Sequence, residues 1–248
     1  MKTNERLTFS TPTHFNLPIT IYNTLIEDAL YFKILKDNQA SISGLMNHLI
    51  PNMAEYRNDL HMSFLKENDG DVELTNKIEK NIYKTYFNQY DYCDDGTISV
   101  PFRVNSAHLQ QFLDIYDNVL HKYNMNFAEF VRSVLIEYSS KRLNQREYFF
   151  YYNEIHKIKD AIQNNEQCVF YLEEEKISFV PVSVEISRKS EQNLIIGYDF
   201  ENNKAHIVPI VLLKRIVLND IKYEVKIEEI DFVYECFEEY EDEFRGQE

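Results

Sequence analysis

The sequence predicts an α+β protein. A helical N-terminal half repeats a strand-helix-helix unit, a small antiparallel β-barrel follows, and a strand-helix tail closes the chain. Three observations predict this. Thr97 to Asn105 alternates apolar and polar residues with the two-residue period of a half-buried strand and runs directly into two helical patterns. Beyond the last of those helices, short β-rich runs recur between charged or Asn-rich turns. Only 5 Gly and 6 Pro interrupt 248 residues that include 18 Tyr and 17 Phe, which is the composition of folded cores and not of disorder.

The first unit spans residues 1–66. After a polar start, Arg6 to Leu17 is rich in Thr and Phe, with Phe15 and Leu17 on one strand face and His14 and Asn16 on the other. Pro18 suits a turn or a first helical position. Ile21, Leu25, Ile26, Ala29, Leu30, Phe32 and Ile34 recur at helical spacing, predicting a helix over Ile19 to Lys36. Ser41 is placed to cap a second helix through Leu45, Met46, Leu49 and Ile50, with Pro51 as a kink or stop. Residues 67–96 read as an acidic insert with a helix over Val72 to Phe87. Asp91, Asp95, Gly96 and Ile98 follow part of a calcium loop, but Phe102 stands where a bidentate Glu is required, so no metal or cofactor is expected.

The unit recurs over 97–147. Ile98, Val100, Phe102 and Val104 form the apolar strand face; Thr97, Ser99, Pro101 and Arg103 form the polar one. Asn105 or Ser106 caps a helix through Leu109, Phe112, Leu113, Ile115, Tyr116 and Leu120. A Tyr123-Asn124-Met125 turn leads to Asn126, which caps a helix through Phe127, Phe130, Val131, Val134, Leu135 and Tyr138. Phe102 and Val104 match Phe15 and Leu17 at an offset of 87; Asn126, Phe130 and Val134 match Ser41, Leu45 and Leu49 at 85.

That order resembles the ribbon-helix-helix DNA-binding family, in which two copies pair their strands into a ribbon that enters the major groove. The resemblance implies a pair formed within one chain. It gives nucleic-acid contacts to His14, Asn16, Thr97, Ser99 and Arg103, with Arg103 foremost because its fork can grip a guanine twice. It also implies that Ser41 and Asn126 mark helix N-termini that offer amides to phosphate. Lys141 and Arg142, with Arg146, end the last helix and are candidate phosphate contacts; cations there also complement the helix dipole.

A tyrosine-rich joint leads into a helix over Tyr152 to Asn164. Val169 to Leu172, Ile177 to Val184, Leu194 to Tyr198, Ala205 to Val208 and Arg215 to Leu218 then read as strands. Over residues 148–218 this order resembles the WYL domain, an SH3-like or Sm-like barrel of bacterial regulators and CRISPR-associated accessory proteins. The pieces that carry the resemblance are Tyr171, Val180-Pro181, Asn193 to Asp199 and Lys214-Arg215-Ile216; Asn193-Leu194-Ile195 departs from the naming triplet. It implies a ligand surface at Arg215, with Tyr171, Arg188, Tyr198, His206 and Lys214 as neighbours. Residues 219–248 form an acidic tail with Tyr223 to Val225 as a strand and a helix whose stripe is Ile227, Ile230, Val233, Tyr234, Phe237 and Tyr240, compatible with a homodimer or with packing inside the chain.

The formal charge of −15 argues against a protein that coats nucleic acid through phosphates alone. The charge is uneven: residues 219–248 hold 12 acidic and 3 basic groups, whereas 97–146 hold 6 basic and 4 acidic. Cys93, Cys168 and Cys236 lack metal or redox spacing, the first residues lack a signal-peptide core, and the longest apolar run, Ile207 to Leu213, is too short to cross a bilayer. A cytoplasmic protein without membrane partners is the expectation. No nucleophile elbow, Walker or dinucleotide motif occurs, and Glu173-Glu174-Glu175 reads as a solvated turn, so no enzyme is expected. The leading expectation is a nucleic-acid-binding transcriptional regulator with a ligand- or partner-sensing domain. The alternatives are a single-stranded RNA-binding accessory protein of a CRISPR-Cas or other phage-defence system, and a purely protein-binding module.

Overall fold

The computed structural model describes residues 13–89, 96–120, 126–173 and 175–243. The partial calcium motif around Asp91 to Asp95, Cys93, the residues before Thr13, the turn at 123–125 and Glu174 lie outside them. The chain forms two compact units, Met1–Lys141 and Arg142–Glu248. No described helix is long and apolar enough to cross a membrane.

The first unit opens with β1 (Thr13–Pro18), whose Pro18 leads directly into α1 (Ile19–Tyr31). The helix stops short of the predicted Lys36. Lys33, Asp37 and Asn38 adopt positive φ, and Leu35–Lys36 (β2) and Gln39–Ala40 (β3) fold into a small hairpin instead. Asp and Asn tolerate the left-handed region because their side chains bond locally, so this turn wins over continued helical spacing. The helix α2 (Ile42–Glu67) is capped by Ser41, whose Oγ accepts from the Gly44 N–H at 3.1 Å. It runs through Pro51 without stopping. A proline inside a helix costs about 3 kcal/mol or more; here Leu49, Ile50 and Met53 around it are fully buried, so packing offsets that cost.

The predicted helix in the acidic segment is present as α3 (Val72–Gln89), which packs on α2 and on the later helix α5 (Phe127–Ser139). Between them lie β4 (Thr97–Phe102), a 3₁₀ turn (Ser106–His108) capped by Asn105, α4 (Leu109–Ile115) and a π-helical turn (Tyr116–Leu120). The box that caps α5 is complete. Asn126 Oδ1 accepts from the Glu129 N–H, and Glu129 Oε2 accepts from the Asn126 N–H, both at 2.9 Å.

The strands β1 and β4 pair antiparallel in one ribbon, with Phe15 opposite Val100 and Leu17 opposite Ile98. Phe15, Phe102, Phe112 and Phe127 cluster beneath it at centroid separations of 5.7–6.4 Å. Deeper in the unit, Arg57 of α2 bonds Glu137 of α5 at 2.6 Å and Ser133 at 3.1 Å, and Tyr138 donates to Asp28 at 2.7 Å.

The second unit begins with α6 (Leu143–Phe150), where the sequence reads only a joint, and α7 (Tyr152–Asn164), which ends on Asn165 in the left-handed conformation. Five strands follow: β5 (Glu166–Tyr171), β6 (Lys176–Ile186), β7 (Asn193–Asp199), β8 (Lys204–Pro209) and β9 (Arg215–Lys222). The five strands predicted over residues 148–218 are present, in the order β8-β7-β6-β5-β9. The expected barrel is not closed, because among the described residues β8 and β9 form the two edges and do not pair. The sheet bends at β6, which pairs with β5 through Lys176 to Phe179 and with β7 from Val180 onward, with a bulge between Pro181 and Ser183.

Tyr223 to Val225 is not a strand. The Tyr223 N–H bonds the Asn165 carbonyl, and its ring stacks on Phe200 at 4.5 Å. The last helix, α8 (Ile227–Glu243), buries Val233 and Phe237 against Leu194 and Ile196 of β7. Of the predicted stripe, Val233, Phe237 and Tyr240 pack inside the unit, whereas Ile227 and Tyr234 are exposed.

Candidate nucleic-acid interface

Alternation in the ribbon sends one face to the core and the other to solvent. Phe15, Leu17, Val100 and Phe102 are buried; His14, Asn16, Thr97, Ser99, Pro101 and Arg103 are exposed. The residues that sequence assigns to the ribbon therefore share its outer face. His14 lies opposite Pro101 and Asn16 opposite Ser99, and His14 Nδ1 is 3.5 Å from Ser99 Oγ. The Arg103 guanidinium has no ion pair among the described residues, leaving its planar fork available for a ligand.

Sequence reasoning missed Asn47, which fixes the exit of β4. Its Nδ2 donates to the Arg103 carbonyl at 2.8 Å and to the Ser43 carbonyl at 2.7 Å, and its Oδ1 accepts from the Asn105 N–H at 2.7 Å. A polar residue one turn before Pro51 carries no sequence signal for a contact 56 residues away. An open groove of about 390 Å³ lies beside β4, between Ser99 and Pro101 on one side and Lys36, Ser41 and Ser43 on the other. The sequence also missed this groove, because it depends on the β2–β3 hairpin that ends α1 early.

The two predicted helix N-termini differ. The first turn of α2 carries no acidic residue, whereas Glu129 already occupies the amide end of α5. The first therefore sets no carboxylate against an anion, and the second sets one. Lys141 follows α5 by two residues, about 20 Å along the helix from Phe127 under the ribbon at 1.5 Å per residue. Arg142 opens the second unit, where its N–H bonds Gln145 ahead of α6. Lys141 therefore does not extend the ribbon face.

In the second unit Tyr171, Lys214 and Arg215 come together. Tyr171 pairs with Lys176 on one side and Arg215 on the other, and both cations lie 5.6 Å from its ring centroid. Tyr171 is 36% exposed, and Lys214 bonds back to the Tyr171 carbonyl and, through Nζ, to the Glu173 carbonyl. Lys176 is the member that sequence did not single out.

The remaining three are engaged elsewhere. Arg188 pairs with Glu238 of α8 at 2.5 Å, and its N–H bonds Glu241. Tyr198 packs against the α8 cluster and meets Phe232 edge-on. His206 stacks on Phe179, which stacks on Phe170, and lies 3.6 Å from Asp199. Burial lowers the His206 pKa and Lys204 adds to this, while Asp199 opposes them. Burial works to raise Asp199, but hydrogen bonds from Asn202 and Glu201 hold its carboxyl below the usual range.

Among the described residues no group of His, Cys, Asp and Glu is arranged to hold a metal ion. Burial, aided by Glu166, pushes the Cys168 thiol up to about 12, so it stays protonated at neutral pH and is a poor nucleophile.

No family profile matches the chain, and no curated protein matches it. A solved structure described as the crystal structure of a CRISPR Cas-related protein is similar, with a TM-score of 0.62 and 15% sequence identity. The similarity covers 89% of this chain and 65% of that one. At this identity the likeness is one of fold.

Proposed function

We propose that this chain is a non-enzymatic nucleic-acid-binding accessory protein of the CRISPR-related kind, with a ribbon-helix-helix-like head and a WYL-like sheet. The observation that carries it is the β1–β4 ribbon, whose polar residues gather on one exposed face around Arg103. Both halves of the ribbon come from one chain, so the head needs no second copy to cover its apolar strand face. The CRISPR-related description of the solved neighbour supports the choice of class.

The sheet adds a second surface of different chemistry. Tyr171 between Lys176 and Arg215 suits the stacking of an unpaired base, with cations beside the ring for its phosphate. The five-strand order, the helix before β5 and the 3₁₀ turn Ile210–Leu212 before β9 support the WYL-like reading. Single-stranded RNA is the partner this surface fits.

The test is competition between a labelled unstructured RNA and a DNA duplex at low salt. The accessory reading expects RNA binding that weakens when Tyr171 and Arg215 are replaced by Ala. RNA binding indifferent to both substitutions contradicts the assignment.

A second reading, a transcriptional regulator that binds a specific duplex, is favoured by the ribbon itself, because a two-stranded ribbon fits the major groove. Duplex binding that outcompetes RNA and depends on Arg103 but not on Tyr171 selects it.

A further inference from the structure

The two halves of the ribbon are related by a local dyad, and their chemistry breaks it. The strand offset of 87 carries His14 onto Pro101, and these two residues face each other in the register. The axis relating the copies therefore passes between them. The same offset carries Asn16 onto Arg103, so these are dyad mates on the exposed face, one on each side of the axis. Along the ribbon they stand four residues apart, about 14 Å at 3.4 Å per residue, or roughly four base-pair steps.

An amide and a guanidinium read different bases. Asn pairs two ways with the N6 and N7 of adenine, and Arg with the O6 and N7 of guanine. The clamp behind the strands is unequal too. Ser43 and Asn47 hold the Arg103 backbone, and the helix offset of 85 puts Ala128 and Arg132 in their places. The Glu129 carboxylate at the end of α5, with no acidic counterpart in the first turn of α2, makes the flanks unequal toward phosphate.

We infer that the ribbon recognises a non-palindromic DNA duplex, with Asn16 on an adenine and Arg103 on a guanine roughly four base pairs away. This rests on the second reading above, in which the ribbon's outer face meets a duplex. Two identical chains would impose a palindrome. This single chain imposes a polarity, so it has one preferred orientation on its site.

Selection of binding sites from a random duplex library with the full-length protein tests the inference. The expected result is an asymmetric motif in which Arg103→Ala erases the guanine and Asn16→Ala the adenine, each substitution lowering affinity about tenfold or more. Arg103→Lys keeps the charge and loses the fork, so it is expected to retain the salt dependence of binding while losing the guanine preference. Circular dichroism confirms that each variant is folded. A palindromic motif, or an asymmetric one indifferent to Arg103 and Asn16, overturns the inference and leaves the interface in place. No binding of any duplex at low salt overturns the duplex reading of the ribbon as well.

Discussion

Asn47 holds the carbonyl of Arg103 at 2.8 Å and, through its other amide atom, the N–H of Asn105 at 2.7 Å. One side chain of α2 thereby satisfies backbone on both sides of Val104 and fixes the direction in which β4 presents Arg103. Asn47→Ala leaves these groups without their partner and is expected to cost about 1–3 kcal/mol in urea unfolding. Asn47→Asp keeps the acceptor for Asn105 but sets a carboxylate against the Arg103 carbonyl. It is expected to weaken nucleic-acid binding more than its stability loss alone explains, as measured by fluorescence anisotropy on folded protein.

The buried Arg57–Glu137 pair ties α2 to α5 at 2.6 Å. Its two side chains are 4% and 8% exposed, so each charge depends on the other. Glu137→Ala is expected to cost about 3–5 kcal/mol, because it leaves a buried guanidinium uncompensated. Arg57→Met combined with Glu137→Leu is expected to recover most of that loss. Chemical denaturation of the two variants checks the order.

Gly197 lies beneath the Phe179 ring, and a Cβ there would fall inside contact distance of that ring and of the Val180 carbonyl. The Phe170–Phe179–His206 stack leaves the ring little room to retreat. Gly197→Ala is expected to destabilise the second unit by about 1–3 kcal/mol, read as a lowered melting temperature.

His206 has a folded pKa below its ordinary value of 6.5, chiefly through burial. The unfolded chain therefore binds the proton more readily, and the His206 contribution to stability is complete above pH 6.5 and declines as pH falls toward the lowered value. His206→Gln removes this dependence. Subtracting its unfolding free energies from those of the wild type between pH 7.5 and 5 is expected to show a difference that shrinks on acidification.

The strands were readable because their signal is local. Asn193 to Asp199 and Lys204 to Pro209 are short β-rich runs on either side of the Glu201-Asn202-Asn203 turn, and Ser41 and Asn126 sit where caps belong. The pairing of the strand at Thr13 to Pro18 with the one at Thr97 was also legible, though not its register, since an apolar strand face followed by two helices needs a partner and the chain carries one candidate. What failed depended on distant neighbours. Pro51 lies inside a helix because both sides of it are buried, α1 ends early because three residues take positive φ, and the sheet stays open because β8 and β9 do not meet. At the site, the gathering of His14, Asn16, Ser99 and Arg103 on one face followed from two-residue alternation. Asn47, Lys176 and the withdrawal of Arg188 and Tyr198 toward α8 did not, because each is set by a contact across many residues.

The most direct measurement is equilibrium binding of the full-length protein to duplex DNA and to unstructured RNA over a range of salt concentrations, alongside Arg103→Ala and Tyr171→Ala. The expected result is salt-dependent binding, with Arg103→Ala weakening the duplex about tenfold and Tyr171→Ala weakening the single strand by a similar factor, without loss of fold. Absence of binding to either nucleic acid at low salt, by protein shown to be folded, would contradict the account and leave a protein-binding module.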